Sequence, residues 1–459
     1  MQRNETENPS RRSFLQKAAL LTTLPVSQLT ASVEKPSSQA VEVGNLPEMI
    51  EANGRLRLQF GKETVVISRG LQPFMVVTKT GAIVVQAQLP EKPFPSKRIS
   101  YGSALETVIS RDNGKTWTTI PLKPGENGLN LEGGGVQLKD GTLVALDTYM
   151  TPGKKDGQGL GQLYTSRDDW QTVDGPQEVV FEVPNADFYA SKDDGGHPHE
   201  AQRIHRRILE MPNGDLLTTY YGWKKGDRTP STYMPTMMKM RVLLVRSTDK
   251  GKSWKQVSTI AVGPEIGTEG LDEPVITRIS KGPNAGRLLC LMRTGRELRE
   301  AYSDDNGASW SPHYPRIFAG LDIYRTELWG DWLQNQTDAT GKPVQEVKPD
   351  DLRGAVVDPD LIELRSGLLV AAFGVRVPQK ACWKYPGHSW NGNYLAFSED
   401  HGKTWPNVVR LTSGVMTTHY MAIEELRTDN QIYVTYDQGA WGKPNRNIIG
   451  RTLDITLKG

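Results

Sequence analysis

Charged and polar aromatic side chains flank several apolar, strand-like segments of this chain of 459 residues. A charge at the start of a buried strand costs free energy unless it is paired or has a function, so these positions are candidate functional residues. Carboxylates, imidazoles and phenols can transfer protons there, and arginines can bind a carboxylate through two parallel hydrogen bonds. The residues concerned are Arg69, Gln72, Glu132, His197, His199, Glu200, Arg203, Asp272, Glu273, Arg293, Arg353, Asp358, Asp360, Arg376, His419 and Tyr420. They form one site only if the fold brings the starts of these segments together.

The segments that carry these residues share one pattern. An apolar strand is followed by a turn that contains Gly or Asn and then by a second apolar strand, which predicts a β-hairpin. Six hairpins are predicted, at Gln72–Gln88, Gly135–Thr148, Arg203–Tyr221, Glu273–Arg293, Asp358–Arg376 and Met421–Asp437.

A second repeat, S-x-D-x-G-x-[ST]-W, occurs at Ser110–Trp117, Ser247–Trp254, Ser303–Trp310 and Ser398–Trp405. A degenerate copy, Ser166–Trp170, keeps the Ser and the Asp but lacks the Gly. The pattern predicts a tight β-turn in which the Asp accepts hydrogen bonds from its own turn, Gly supplies a positive φ and Trp packs on the sheet. This repeat is the Asp-box, and the chain resembles the sialidase-type β-propellers. We interpret the repeat itself as structural, on the outside of the fold.

The order of the two repeats predicts the architecture. Each of the first five hairpins is followed by one Asp-box, and the sixth is followed by the strand-like segment Asn447–Leu457. We therefore predict an all-β fold for residues 51–459, a six-bladed β-propeller of four-stranded antiparallel blades. The segments Arg55–Phe60 and Glu63–Ser68 have no blade of their own, so we expect them to join the last blade and close the ring. The polar stretch at about 321–352 is expected to form an inserted lobe over one face.

Composition limits the function classes. The chain has 55 Lys and Arg against 53 Asp and Glu, a formal charge of +2, which does not indicate binding to nucleic acid or to an anionic membrane surface. Cys290 and Cys382 cannot make a disulfide framework and do not have metal-ligand spacing, so we expect two buried thiols. No cofactor and no metal are predicted.

The resemblance to bacterial sialidases is most specific in two hairpins. Glu273-Pro274-Val275-Ile276 through Leu291-Met292-Arg293, followed by an Asp-box, matches the family segment in which a Glu precedes an apolar hairpin that ends in Arg. Tyr420 at the start of the last hairpin, with Ile423, Leu426 and the closing pair Tyr436-Asp437, matches the family pattern around its Tyr nucleophile. The resemblance implies that Tyr420 is the nucleophile, that Glu273 is its base and that Arg293 binds the substrate carboxylate. A neutral phenol activated by a carboxylate suits a substrate that carries a carboxylate at its anomeric carbon.

Other parts of the family pattern differ. Leu71 stands where the family has its first arginine, so Arg69 is a candidate substitute, and no general-acid Asp is evident shortly afterwards. Arg376 is a candidate third arginine by position, and Asp358 is a further candidate substrate-binding residue. These assignments predict an exo-acting, sialidase-type glycoside hydrolase whose partner is an acidic oligosaccharide or glycoconjugate.

The third hairpin allows a different chemistry. A second candidate site contains His197, His199, Glu200, Arg203, His205 and Arg206, with Tyr220-Tyr221 at the end of the hairpin. Its His, Tyr and Arg side chains could together perform β-elimination on a uronate, with Arg neutralising the carboxylate and His or Tyr moving protons. Some propeller polysaccharide lyases resemble that arrangement. A non-catalytic, glycan-binding propeller is the third alternative, although the set of charges at strand starts argues against it.

The N-terminus predicts export. Ser10-Arg11-Arg12-Ser13-Phe14-Leu15 resembles a twin-arginine signal, and the apolar stretch 18–24 is too short for a transmembrane helix. We interpret residues 1–31 as a signal peptide and 32–50 as a linker. The expected location is the bacterial periplasm or the medium, with the twin-arginine export machinery as a partner and no membrane insertion after the signal is removed.

The paired arginines allow a direct test of export. Replacing both (Arg11→Lys with Arg12→Lys) should leave folded precursor in the cytoplasm, because the export machinery reads the arginine pair. Fractionation of the host followed by immunoblotting measures the distribution. Normal periplasmic accumulation of the double variant would show that the N-terminus is not a signal of this class.

Overall fold

The computed structural model of the chain describes residues 47–93, 103–121, 131–188, 190–194, 197–200, 202–232, 235–324, 332, 335–337, 353–379, 382, 385–439 and 446–458. All of the regular elements named in it are β-strands, so the fold is all-β as predicted. Within the described ranges, no helix is long and apolar enough to cross a membrane. The strands are β1 (Glu48–Glu51), β2 (Leu56–Phe60), β3 (Thr64–Ser68), β4 (Leu71–Val77), β5 (Ile83–Pro93), β6 (Ser103–Ser110), β7 (Thr118–Thr119), β8 (Gly135–Gln137), β9 (Leu143–Leu146), β10 (Thr151–Pro152), β11 (Gln158–Ser166), β12 (Asp174–Glu182), β13 (Ala190–Asp194), β14 (His197–Glu200), β15 (Arg203–Glu210), β16 (Leu216–Gly222), β17 (Arg241–Ser247), β18 (Ser253–Ala261), β19 (Asp272–Arg278), β20 (Leu288–Arg293), β21 (Leu298–Ser303), β22 (Tyr314–Arg316), β23 (Ala355–Glu363), β24 (Leu369–Arg376), β25 (Gly392–Ser398), β26 (Asn407–Arg410), β27 (Met421–Glu425), β28 (Gln431–Gln438) and β29 (Asn447–Leu457).

These strands form antiparallel units that follow the chain. Unit one contains β4–β7, unit two contains β8, β9, β11 and β12, and unit three contains β15–β18. Unit four contains β19–β22, unit five contains β23–β26, and unit six contains β27–β29 with β2 and β3. The second and third units are joined into one larger sheet by parallel pairing of β12 with β18. Within each unit, the first two strands form one of the predicted hairpins, because each pair of apolar segments is separated by a short turn.

The first strands of the units lie next to one another. β15 contacts β8 and β19, β19 contacts β23, and β23 contacts β27. β27 also contacts β4, which in turn contacts β8, so the contacts between first strands are cyclic. β2 and β3, which precede the first unit in the chain, both pair with β29 of the sixth unit. The N-terminal and C-terminal parts of the described chain are therefore joined in one sheet.

Apolar side chains from neighbouring units pack into a separate core at each junction. Val275 of unit four packs with Phe373 of unit five in one cluster, and Val370 of unit five packs with Ile423 of unit six in another. Corresponding clusters lie between units three and four, two and three, and one and two. A further cluster places Ile448 of unit six with Val85 of unit one. Burial of apolar area at each junction is the main stabilising contribution in such a fold.

The Asp-boxes connect the third and fourth strands of the first five units, as their position in the sequence predicts. In the box of unit three, Asp249 accepts hydrogen bonds from the Ser253 N–H (2.9 Å) and hydroxyl (2.6 Å) and from the Ser247 hydroxyl (2.7 Å). Lys250 and Gly251 both have positive φ there, 59° and 89°. The bonds lie within the turn and none reaches the candidate site residues, which supports the structural interpretation of the repeat.

The degenerate box of unit two keeps the same geometry. Asp168 accepts from the Thr172 N–H (2.9 Å), and the Trp170 N–H donates to the Ser166 hydroxyl (3.0 Å). Trp170 occupies the position of the missing Gly with φ 63° and its side chain is fully buried. A positive φ is unfavourable for a bulky residue, so the burial of this indole offsets the cost.

Other segments were not predicted or fall outside the described residues. β1 pairs with β26 at the outer edge of unit five, although it begins inside the segment that we interpreted as a linker. β13 and β14 form a separate two-stranded sheet. The signal segment 1–31 lies outside the described residues, as does most of the expected lobe at 321–352. Cys290 and Cys382 are buried free thiols, as expected.

The Asp-box geometry predicts a purely structural effect of its removal. Asp249→Ala leaves three donors without their acceptor, and we expect it to lower the free energy of unfolding by about 1–3 kcal/mol. Thermal or urea unfolding measures the change, and Lys252→Ala, an exposed neighbour in the same turn, is the control. A large loss of activity per folded molecule without loss of stability would contradict the structural role.

Candidate active site

The first strands of the units are bent at equivalent positions. Register shifts interrupt the pairing of β4, β15, β19 and β23 near their N-terminal ends. At each of these bulges one non-glycine residue has a positive φ, and the residues are Gln72 (56°), Arg206 (61°), Glu273 (36°) and Asp358 (47°). His419, just before β27, has φ 70°. A bulge changes the direction of side chains that would otherwise alternate between faces, so it allows consecutive polar residues to face one site.

Tyr420 and Glu273 are in direct contact at this end of the fold. The Tyr420 hydroxyl donates a short hydrogen bond to Oε1 of Glu273, and Nη1 of Arg293 donates to the same oxygen at 2.6 Å. All three side chains are buried. Within the described residues, Oε2 of Glu273 has no hydrogen-bond partner. The structure thus brings together the three residues that the sialidase resemblance assigned to one reaction, although their roles stay predictions.

The surrounding groups shift the pKa values of Glu273 and Tyr420 in opposite directions. Burial favours the neutral form of Glu273, but Arg293 and His205, with the hydrogen bonds from Arg293 and Tyr420, lower its pKa to about 2. Burial, followed by repulsion from Glu273, raises the pKa of Tyr420 well above its usual value. At neutral pH the pair is therefore a carboxylate that accepts a proton from an intact phenol.

Arg293 is held by carboxylates on two sides. Besides its bond to Glu273, its Nη2 lies 3.1 Å from Oε2 of Glu269. Asp272, the neighbour of Glu273 in β19, is buried, and its backbone pairs with Arg293. Burial and then repulsion from Glu269 raise the pKa of Asp272 well above its usual value. Among the described residues, Oδ1 of Asp272 has no hydrogen-bond partner, so this carboxyl is available as a proton donor or acceptor.

The third unit supplies an arginine between aromatic rings. The guanidinium of Arg203 lies 5.2 Å from the ring centre of Tyr149 and 5.8 Å from that of Tyr221. Nη1 of Arg203 also lies 3.4 Å from the Tyr221 hydroxyl. Burial is the main cause of the raised pKa of Tyr221. β15 and β16, which carry Arg203 and Tyr221, both contact β19, the strand that carries Glu273. This cluster therefore borders the Tyr420–Glu273 pair.

A network of ion pairs joins the third, fifth and sixth units close to Tyr420. Arg206 of unit three donates to Asp358 of unit five, and Arg207 donates to Asp360 of unit five at 2.8 and 2.9 Å. Arg207 also bonds Glu424 of unit six. Asp358 and Asp360 accept the backbone N–H groups of Met421 (3.2 Å) and Ile423 (3.0 Å). These contacts fix the start of β27 and therefore the position of Tyr420.

His205 supports the Glu273 segment from the side. Its Nδ1 lies 3.1 Å from the carbonyl oxygen of Pro274, and its Nε2 lies 3.5 Å from Oδ1 of Asp358. Sequence reasoning gave no role to Glu269 or Arg207. The signal was the run Arg203-Ile204-His205-Arg206-Arg207, in which polar residues break the strand alternation and so indicate the bulge.

The remaining predicted residues have different surroundings. Arg376 donates to the Thr418 carbonyl at 3.0 Å, close to Tyr420 in sequence. Arg69 lies in an exposed turn where its backbone pairs with Arg446, so its side chain is at the surface. His197 and His199 belong to β14, which pairs with β13, but their side chains lie outside what the structure describes. Within the described residues, no group of three metal-ligating side chains is present.

Comparisons with known proteins support the fold class. The BNR/Asp-box repeat model matches residues 108–119, which include the whole of the first Asp-box. No curated protein matches the chain. A protein of unknown function from Dyadobacter fermentans is similar over 87% of this chain and 99% of its own, at 19% identity and a TM-score of 0.58.

Two glycosidases are similar at the level of the fold. An α-L-arabinanase from Penicillium chrysogenum, solved with arabinobiose, is similar over 86% of this chain and 98% of its own, at 16% identity and a TM-score of 0.52. A Hadza microbial sialidase is similar over 90% of this chain and 68% of its own, at 13% identity and a TM-score of 0.50. These neighbours are β-propellers, so the chain is an all-β protein with a propeller-like fold.

Proposed function

We propose that the six units are the blades of a six-bladed propeller and that the chain is a glycoside hydrolase acting through Tyr420 and Glu273. The observation that carries this proposal is the hydrogen bond between the Tyr420 hydroxyl and the Glu273 carboxylate, made by residues 147 positions apart. The cyclic contacts of the first strands and the pairing of β2 and β3 with β29 support the closed ring. The similarity to propeller glycosidases is consistent with the reaction class.

The geometry suggests a two-step reaction. The Tyr420 oxygen bonds to the anomeric carbon while the bond from that carbon to the leaving oxygen breaks, and the phenolic proton passes to Glu273. Because Arg293 and His205 hold the pKa of Glu273 below its usual value, the proton moves only as the new bond forms. Asp272, whose pKa is raised, is the proton donor that we propose for the leaving oxygen. Water then attacks the anomeric carbon and gives its proton to Asp272, while the tyrosyl–sugar bond breaks and Tyr420 regains its proton from Glu273.

The sialidase version of this proposal adds a specific requirement. A sugar carboxylate would have to bind arginines near Tyr420. The candidates are Arg293, which bonds Glu273, and Arg376, which bonds the Thr418 carbonyl. Each of them donates to a protein oxygen in the structure. An acidic substrate would therefore have to replace one of those bonds. Residues 1–46 lie outside the described chain, so export by the twin-arginine route stays a proposal.

The nucleophile assignment has a matched control. Tyr420→Phe keeps the ring but removes the attacking oxygen, so turnover should fall by several orders of magnitude with little change in melting temperature. Glu273→Gln should reduce turnover less, and the double variant should be far from additive because the two residues act as one unit. Tyr436→Phe is the control, since the buried Tyr436 donates a comparable bond to Glu63 at 2.5 Å in the same unit.

Kinetics on aryl sialosides and α-L-arabinofuranosides measure these effects. If Tyr420→Phe keeps its activity and Glu273→Gln is inactive, the carboxylate rather than the phenol is the nucleophile. If Tyr420→Phe, Glu273→Gln and the double variant all match the wild type, neither Tyr420 nor Glu273 takes part in the reaction.

The lyase alternative predicts a different outcome at the third unit. His199→Ala should abolish β-elimination on a uronate polysaccharide but leave a Tyr420-dependent hydrolase with most of its activity. Release of reducing sugar and absorbance of an unsaturated uronate are measured on the same samples, with His313→Ala as control. Loss of glycoside hydrolysis in His199→Ala alone would move the reaction centre to the third unit.

A further inference from the structure

We infer that the Tyr420–Glu273 site takes an uncharged glycan, whose hydroxyl groups bind the carboxylates of the site, and discriminates against sugars that carry a carboxylate. This inference rests on the proposed glycoside hydrolase function and narrows its substrate class. It departs from the acidic substrate that the sialidase resemblance implied. The reason is the pairing of the arginines that surround the pair.

Each arginine around the site already has a protein partner. Arg293 bonds Glu273 and Glu269, and Arg206 bonds Asp358 with Asp360 3.6 Å away. Arg376 donates to the carbonyl of Thr418 and Arg203 lies against two tyrosines. The charges of Arg293 and Arg206 are therefore neutralised at short range by carboxylates.

Two of the unpartnered polar atoms are carboxyl oxygens, while both terminal nitrogens of Arg293 are bonded to glutamates. Oε2 of Glu273 and Oδ1 of Asp272 are buried and lack hydrogen-bond partners within the described part of the chain. Glu269, Asp272 and Glu273 all act on the single guanidinium of Arg293. A cluster of this composition offers hydrogen-bond acceptors to a ligand, and sugar hydroxyls are donors that suit them. Hydrogen bonds from a neutral donor to a carboxylate are also stronger than those between neutral groups.

An anionic sugar would meet two costs. Its carboxylate would be repelled by the ionised Glu273, and it would have to remove Arg293 from Glu273 or Glu269 to pair with the arginine that contacts Glu273. Breaking a buried ion pair leaves a buried charge without compensation, which is strongly unfavourable. An uncharged sugar avoids both costs because it needs no arginine. The same carboxylates that hold Arg293 therefore select against a charged substrate.

Substrate pairs that differ only in this charge test the inference. The pairs are an aryl glucoside with the aryl glucuronide and an aryl galactoside with the aryl galacturonide, and the members of each pair differ at C6 alone. An aryl α-L-arabinofuranoside and an aryl sialoside complete the panel. We expect measurable kcat/KM on at least one uncharged glycoside and at least 100-fold lower values on every carboxylate-bearing one. Equal or higher kcat/KM on a uronide or the sialoside would overturn the inference.

Binding separates this inference from the hydrolase proposal. The wild-type protein is titrated with neutral oligosaccharides (arabino-, galacto- and gluco-configured) and with oligouronates and sialyllactose. Binding of a neutral glycan without hydrolysis of any substrate would refute the hydrolase while supporting the uncharged ligand class. Binding of the anionic glycans alone would overturn the inference even if they were cleaved, and binding of neither group would overturn it as well.

A charge variant shows whether the carboxylates cause the selectivity. Glu269→Gln removes one negative charge from Arg293 and should raise the ratio of kcat/KM for the carboxylate-bearing substrate to that for its uncharged partner by about tenfold. Glu182→Gln, at an exposed residue of unit two that pairs with Lys255, should leave the ratio unchanged. If Glu269→Gln does not fold, Glu273→Gln, which also removes a negative charge from Arg293, gives the same comparison measured as ligand binding. An unchanged ratio in a folded variant would show that the carboxylates do not set the selectivity.

Discussion

The buried ion-pair network between the third, fifth and sixth units is the interaction on which the site depends. Arg206 and Arg207 lie in β15, and their carboxylate partners Asp358 and Asp360 lie in β23, more than 150 residues away. Both aspartates also accept backbone N–H groups of β27. Removing one partner from such a network leaves an uncompensated buried charge, so the three strands are held together in one geometry.

The bulges of the first strands follow from the same need. A regular strand would direct Asp272 and Glu273 to opposite faces, but the register shift and the positive φ of Glu273 allow both carboxyl groups to act on Arg293. The carbonyl oxygen of Pro274, next in the chain, is held by His205 and by the Thr219 hydroxyl at 3.3 Å. The unfavourable backbone conformation is therefore kept by contacts on both sides, as is common where strain serves a site.

The density of charge gives the site its chemical character. Burial alone would make every carboxyl group here neutral, but Arg293 keeps Glu273 ionised while Asp272 is pushed toward its protonated form. Two adjacent carboxyl groups with opposite preferences are suited to accept and to donate a proton. Because Arg293 is paired with these carboxylates, its charge is already neutralised before a ligand binds. One set of charges thus bears both on the proposed reaction and on the substrate that it selects.

The sequence by itself determined the local structure. The six apolar hairpins and the Asp-boxes were predictable because strand alternation, Gly turns and the bonds from Asp249 to its own turn depend on residues a few positions apart. Resemblance to a family, not spacing, singled out Tyr420. Only the tertiary structure decided what that side chain contacts and that Arg206 pairs across the fold. Such pairing depends on ring register and on bulges, which shift a side chain to another face with little trace in the local pattern. Arg69, a candidate site residue in the sequence, lies in an exposed turn, and its role stays a prediction.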